Sequence, residues 1–144
     1  MTQDLQSKVS SELVDAYMNT HFDVIGTTTF TLKINKYSPE LNDLLKKTEN
    51  KSATFITAYN PYSAETTLIE NEKAQQSLRD DLNNIRCEIL TGKGSDPSGE
   101  WEGEPSFLCL GLSLDNAKKM GIKFGQNAIV WSDHSAVPKL ILLR

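Results

Sequence analysis

The sequence predicts one α+β domain built on an antiparallel sheet in the ferredoxin-like, or split βαβ, arrangement. Three observations predict it. From Ala53 onward, stretches of period two and period 3.6 follow one another as strand, helix, strand, strand, helix, strand, strand. The helical stretches open on hydroxyl residues of the N-cap type. A chain of 144 residues, 38% of them apolar, is about one domain's worth of core, and no repeat or linker-like stretch divides it. The expected fold is therefore a βαββαββ core over residues 51–144 with helices on one face. Residues 1–50 add an N-terminal helix, a strand and a short helix.

Taken in order, Leu5, Val9, Leu13, Ala16 and Tyr17 recur at helical spacing and predict an amphipathic helix over the first twenty residues. After a short connection, Thr28 to Ile34 alternates as a half-buried strand does. Ser38-Pro39-Glu40 supplies an N-cap, a proline at the first helical position and an acid at the positive end of the dipole. Leu41, Leu44 and Leu45 follow as that helix's apolar stripe. Ala53 to Tyr59 is apolar on both faces, which predicts a central strand ending at Asn60-Pro61. Thr67-Leu68-Ile69-Glu70 has the form of a capping box and opens a helix to about Asn84, with Ala74, Leu78, Leu82 and Ile85 inward. Arg86 to Thr91 and Ser106 to Leu112 read as strands, with Gly92 to Pro105 as the loop between them. Ser113 caps a helix that Gly125 closes, and Asn127 to Trp131 and Val137 to Leu143 are the last strands.

The residues exclude much chemistry. A net charge of −4 argues against a phosphate-tracking surface, so nucleic acid is not the expected partner. His21 and His134 both fall in loop-like stretches, and Cys87 and Cys109 lie in separate strands, so no zinc spacing exists and no metal is expected. No P-loop, dinucleotide fingerprint or nucleophile elbow is present, and no motif names a cofactor. With no signal-like start and no long apolar run, the expectation is a cytoplasmic protein that does not span a membrane, its two thiols reduced and buried.

Three polar groups stand where the fold alone does not ask for them. Asn71 and Gln75 extend the Leu78–Leu82 stripe toward the helix N-terminus, and Asn60 and Ser63 arrive beside them from the preceding strand end. These amides serve either a ligand or the backbone of the strand-to-helix loop, and the second use is the commoner. The loop Gly94 to Ser106 carries four acids and a tryptophan. In it Trp101 suits ring stacking, Glu104 suits proton transfer, and Asp96 and Ser106 suit polar contacts. Against that stands the ordinary habit of loop acids to remain in water. Gln126 and Asn127 form the third group, where a single capping amide would be enough.

These segments carry a resemblance. Phe55 to Pro61, Glu70-Asn71 with Gln75 and Leu78, Gly94 with Asp96-Pro97, Gly99, Trp101 and Glu104 to Phe107, and Phe124 to Ile129 resemble one bacterial family of proteins of unknown function. The resemblance implies a small bacterial or phage protein and carries over no catalytic residue. The functional expectation is a pocket for a small polar, nucleotide-like ligand. Asn60, Ser63, Asn71, Gln75, Asp96, Trp101, Ser106, Gln126 and Asn127 would contact that ligand, and Glu104 is the candidate catalytic group. The alternative is a non-enzymatic interaction module that pairs through the Val137–Leu143 edge.

Overall fold

A computed structural model describes residues 9–100 and 103–144. Among them lie four α-helices and seven strands. In chain order these are α1 (Ser11–Met18), β1 (His21–Ile25), β2 (Phe30–Leu32), α2 (Pro39–Thr48), β3 (Ala53–Ile56), α3 (Leu68–Asn84), β4 (Glu88–Ser95), β5 (Glu104–Leu110), α4 (Leu114–Lys123), β6 (Ala128–Ser132) and β7 (Lys139–Leu142). A short 3₁₀ turn, Pro61–Ser63, joins β3 to α3. The strands form one curled antiparallel sheet, a half-barrel, in the order β2-β1-β4-β5-β3-β6-β7.

Local chemistry explains the helix starts. Ser10, Ser38, Thr67 and Ser113 each accept the N–H three residues on, satisfying one of the donors that a helix start leaves unpaired. Gly125 follows α4 with φ +68, and its N–H donates to the Ile122 carbonyl.

Burial follows the two faces of the sheet. Phe55, Leu108, Leu110 and Val130 point to the concave side, where they meet Phe22, Val24 and Leu32 and the α2 residues Leu41 and Leu45. Their chain neighbours Ile56, Phe107, Cys109 and Ile129 point the other way, onto Leu78 and Leu82 of α3 and Ala117 of α4. β3 is thus buried on both faces, because both are covered. The expected placement of helices on one face describes α3 and α4. α2 packs against the opposite face.

Four details differ from the sequence reading, the first being that Ile85, expected inward at the end of α3, is exposed. β1 is a strand where a connection was expected; Phe22 and Val24 face the core while His21 and Asp23 alternate outward, so His21 lies in a strand. β4 and β5 extend into the expected Gly92–Pro105 loop, with Gly94 opposite Glu104. Cys109 is buried, but Cys87 sits just before β4 and is only half-buried; both are free thiols.

Two backbone bonds tie the segment before α2 to the loop before β7. Asn35 N–H donates to the Pro138 carbonyl at 2.7 Å, and Ser38 N–H to the Ala136 carbonyl at 2.9 Å. Among the described residues no helix is long and apolar enough to cross a membrane.

Candidate functional site

A cavity of about 730 Å³ opens on the concave face between α1, the end of β3 and the starts of β5 and β6. Its apolar wall includes Phe22, Phe55 and Leu140, and its polar wall includes Tyr17, Asn60, Ser63 and Glu104. The volume is that of a small-molecule site.

The polar wall is built on an uncommon backbone. Asn60, Tyr62 and Ser63 all have positive φ, of 47, 58 and 62°. Such conformations cost a non-glycine residue of the order of 1 kcal/mol or more each, and they persist only where surroundings over-determine them. Tyr62 N–H donates to the Gly125 carbonyl at 2.6 Å, and a Cβ on Gly125 would come within 2.9 Å of Pro61 Cβ. The turn and the glycine therefore fit each other.

Asn71, which also lines the cavity, and Gln75, which stands behind the wall, hold this turn. Asn71 Oδ1 accepts the Asn60 backbone N–H at 2.9 Å, and its Nδ2 donates to Asn60 Oδ1 at 2.9 Å. Thr66 N–H donates to the same Asn60 oxygen at 3.2 Å. Gln75 Oε1 accepts from Ala58 N–H at 2.8 Å, while its Nε2 donates to the Pro105 carbonyl at 3.1 Å. Both amides are buried, so these bonds answer a desolvation cost that would otherwise be left standing.

With its oxygen and backbone engaged, Asn60 has its Nδ2 aimed at Glu104 Oε2, 2.9 Å away. Burial pushes the Glu104 carboxyl above its ordinary range, and the bond from Asn60 works against that rise. Tyr17 is also raised, chiefly by burial. A hydrogen bond with Ser63 opposes the rise, the Glu104 charge adds to it, and a bond with Asn127 again opposes it. The phenol of Tyr59 is raised by burial and by the charges of Glu72 and Glu104.

The remaining expected residues divide. Ser106 and Gln126 line the cavity, although Ser106 Oγ donates to the Glu104 carbonyl and Gln126 Nε2 to the carbonyls of Tyr59 and Phe124. Asn127 sits behind the wall, donating to Ser63 Oγ at 2.8 Å and accepting from Arg144 at 3.0 Å. Gln75 is likewise behind it. Asp96 is elsewhere, closing its own turn by accepting from Ser98 and Glu100. Trp101 lies outside the described residues. Sequence reasoning assigned Tyr17 to a core stripe and did not pick out Tyr59, yet both answer to the charge of Glu104. The signal available for Tyr17 was its hydroxyl, an unusual choice for the last position of an otherwise aliphatic stripe.

The arrangement can bind a group that offers hydrogens to a carboxylate, and Glu104 and Tyr17 can also hold or pass a proton. Among the described residues no cluster of three or more His, Cys, Asp or Glu side chains could hold a metal ion. No curated protein and no solved structure matches the chain. A family model does: that of DUF3293, described as a protein of unknown function, matches residues 56–129. That stretch runs from the end of β3 through the strained turn, Glu104 and Asn127 into β6, and the chain belongs to the DUF3293 family.

Proposed function

We propose that the protein binds a small organic ligand in the concave cleft, with its polar end at Glu104 and its apolar body against Phe22, Phe55 and Leu140. The observation that carries this reading is a half-buried carboxyl, held by an asparagine whose other polar atoms are already engaged, on the wall of a cavity of about 730 Å³. Strained backbone beside such a group is a common mark of a functional site. The nucleotide-like expectation narrows to a ring without phosphate, because no Lys, Arg or His is among the described lining residues. Binding leads over catalysis: Asn71 is taken up by Asn60 and Gln75 by the backbone of Ala58 and Pro105, which leaves Glu104 and Tyr17 as the groups able to move a proton.

The strand order β4-β5-β3-β6 supports our reading of this core as a split βαβ unit. Two unbridged thiols fit a reducing, cytoplasmic setting. The interaction reading keeps one supporting observation, that β7 is an edge strand with Leu142 exposed.

Native mass spectrometry of protein purified from its own host tests the proposal, alongside amide NMR with a library of small fragments. A retained small molecule, or fragment shifts at Thr20, Asn60, Gly94 and Glu104, is expected. Shifts confined to β7, with concentration-dependent dimerisation, would replace the cleft with the interaction reading.

A further inference from the structure

We infer that the cleft selects a positively charged ligand, a small ammonium, amidinium or protonated nitrogen heterocycle whose charged nitrogen pairs with Glu104. This rests on the ligand-binding reading and adds the chemical class.

Among the described residues the cavity carries charge of one sign. Its described lining contains two carboxylates, Glu65 and Glu104, and no cationic side chain. An anionic ligand would enter against both, while a cation would be drawn in, and low-dielectric walls strengthen either effect.

Glu104 is also short of partners. A carboxylate offers about four acceptor positions. Among the described residues Glu104 receives one side-chain hydrogen bond, from Asn60 Nδ2 to Oε2, so Oε1 has none. Asn60 is a neutral donor, already fixed by Asn71 and Thr66, and cannot turn to give more. No cation among the described residues figures among the influences on the carboxyl, and burial is the largest of them. A half-buried carboxylate with one neutral donor is a group waiting for a counter-charge.

Charged groups on the surrounding elements do not fill that role. Lys93 of β4 stands opposite Pro105, and its chain runs over Gly103, where a Cβ would meet its Cε. It does not line the cavity. Arg144 is engaged elsewhere, donating to Asn127 and lying 4.5 Å from the Tyr62 ring centroid. Glu72 of α3 adds negative charge near Tyr59. The two phenols that feel Glu104, Tyr17 and Tyr59, are neutral aromatic rings, and such rings attract cations through their faces.

Four probes of matched size test the inference: benzylamine and benzamidine as cations, benzyl alcohol as the neutral isostere and benzoate as the anion. Each is titrated into the ¹⁵N-labelled full chain up to millimolar concentration at neutral pH. The cations are expected to shift the amides of Asn60, Gly94 and Glu104 with affinity about tenfold above benzyl alcohol, the worth of one charge-assisted contact. Glu104→Gln keeps an acceptor for Asn60 and should remove that tenfold preference, while Lys93→Met should leave it unchanged. Benzyl alcohol or benzoate binding at the same amides as tightly as the amines would overturn the cation class and leave the cleft reading intact. Amine binding that appears only in Lys93→Met would overturn it too, since Glu104 would then be the partner of Lys93. If no probe shifts these amides, the ligand-binding reading itself falls.

Discussion

Two short helices lie against the same concave face of the sheet, and they treat it differently. α2 and α1 each start on a serine cap, Ser38 bonding Leu41 N–H at 3.0 Å and Ser10 bonding Leu13 N–H at 3.2 Å. α2 then buries Leu41 and Leu45, whereas α1 buries none of its residues. Under α2 the face is a sealed core. Under α1 it is a cleft whose wall includes Tyr17 and Leu13. The difference teaches that the cleft comes from what a covering helix leaves unfilled, so stability and the proposed binding should separate along the sheet.

The largest expected effect tests that separation directly. Leu41→Ala should cost about 2–5 kcal/mol, because a fully buried leucine leaves a cavity that its neighbours cannot close. Leu13→Ala should cost less than about 1 kcal/mol, in the range of ordinary surface changes. Urea melts of both variants decide; equal losses would mean that α1 seals its half of the face as α2 does.

A smaller loss is expected at the turn that walls the cleft. Asn71→Leu should destabilise by about 1–3 kcal/mol, since the Asn60 N–H loses its acceptor inside the fold. A neutral melt for Asn71→Leu would free that amide for a ligand role. Gly125→Ala should cost about 1–2 kcal/mol, because it puts a side chain at φ +68 and against Pro61. Its amide spectrum should change at Tyr62 and Ser63, and a spectrum unchanged there would uncouple the glycine from the turn.

Glu104→Gln should act in the opposite direction, stabilising the free protein by about 0.5–1 kcal/mol at neutral pH, as relief of a functional site's strain commonly does. The sign follows from linkage. Burial raises the native carboxyl above its ordinary value of 4.5, so between those two values the native state binds more protons than the unfolded chain. Stability from this group therefore rises as pH falls through the raised value, levels off below 4.5, and is lost again on return to neutral pH. Melts of wild type and variant across that window should converge toward acid; parallel curves would put Glu104 in water.

The smallest effect concerns the thiols, and stability is not its measure. The bond to Cys109 lowers the Cys87 thiol and burial partly offsets this, whereas Cys109 is raised by that same contact and by burial. Native labelling should modify Cys87 first and reach Cys109 only on unfolding. Equal rates would show that the outer face of the sheet opens.

Legibility in the sequence followed how local each cause was. Ser38, Thr67, Ser113 and Gly125 act within four residues of themselves, and all four sit where their chemistry says. β1 was missed because five alternating residues are a weak signal until β2 and β4 pair with them. Glu104 was read into a loop because Gly94, Gly99, Gly103 and Pro105 look like turn chemistry, yet the β4–β5 ladder extends over part of that stretch. Asn71 and Gln75 were recognised as buried amides, but their acceptors and donors come from Ala58, Asn60 and Pro105 through tertiary contact. Spacing could not reveal those partners. Tyr17 was hidden for a like reason, since its hydroxyl meets Ser63 and Asn127 from far along the chain.

The bonds from Asn35 to Pro138 and from Ser38 to Ala136 have a consequence in time as well as in space. They close loops of roughly a hundred residues, the kind of contact whose entropic cost slows folding. On the ribosome, where a chain emerges at about 5–20 residues per second, α1 and α2 exist for several seconds before β6 and β7 follow them out. Leu140, part of the cleft wall, comes out with β7, well after α1 and α2. The cleft wall is therefore completed only after β7 has emerged and folded back beside α1.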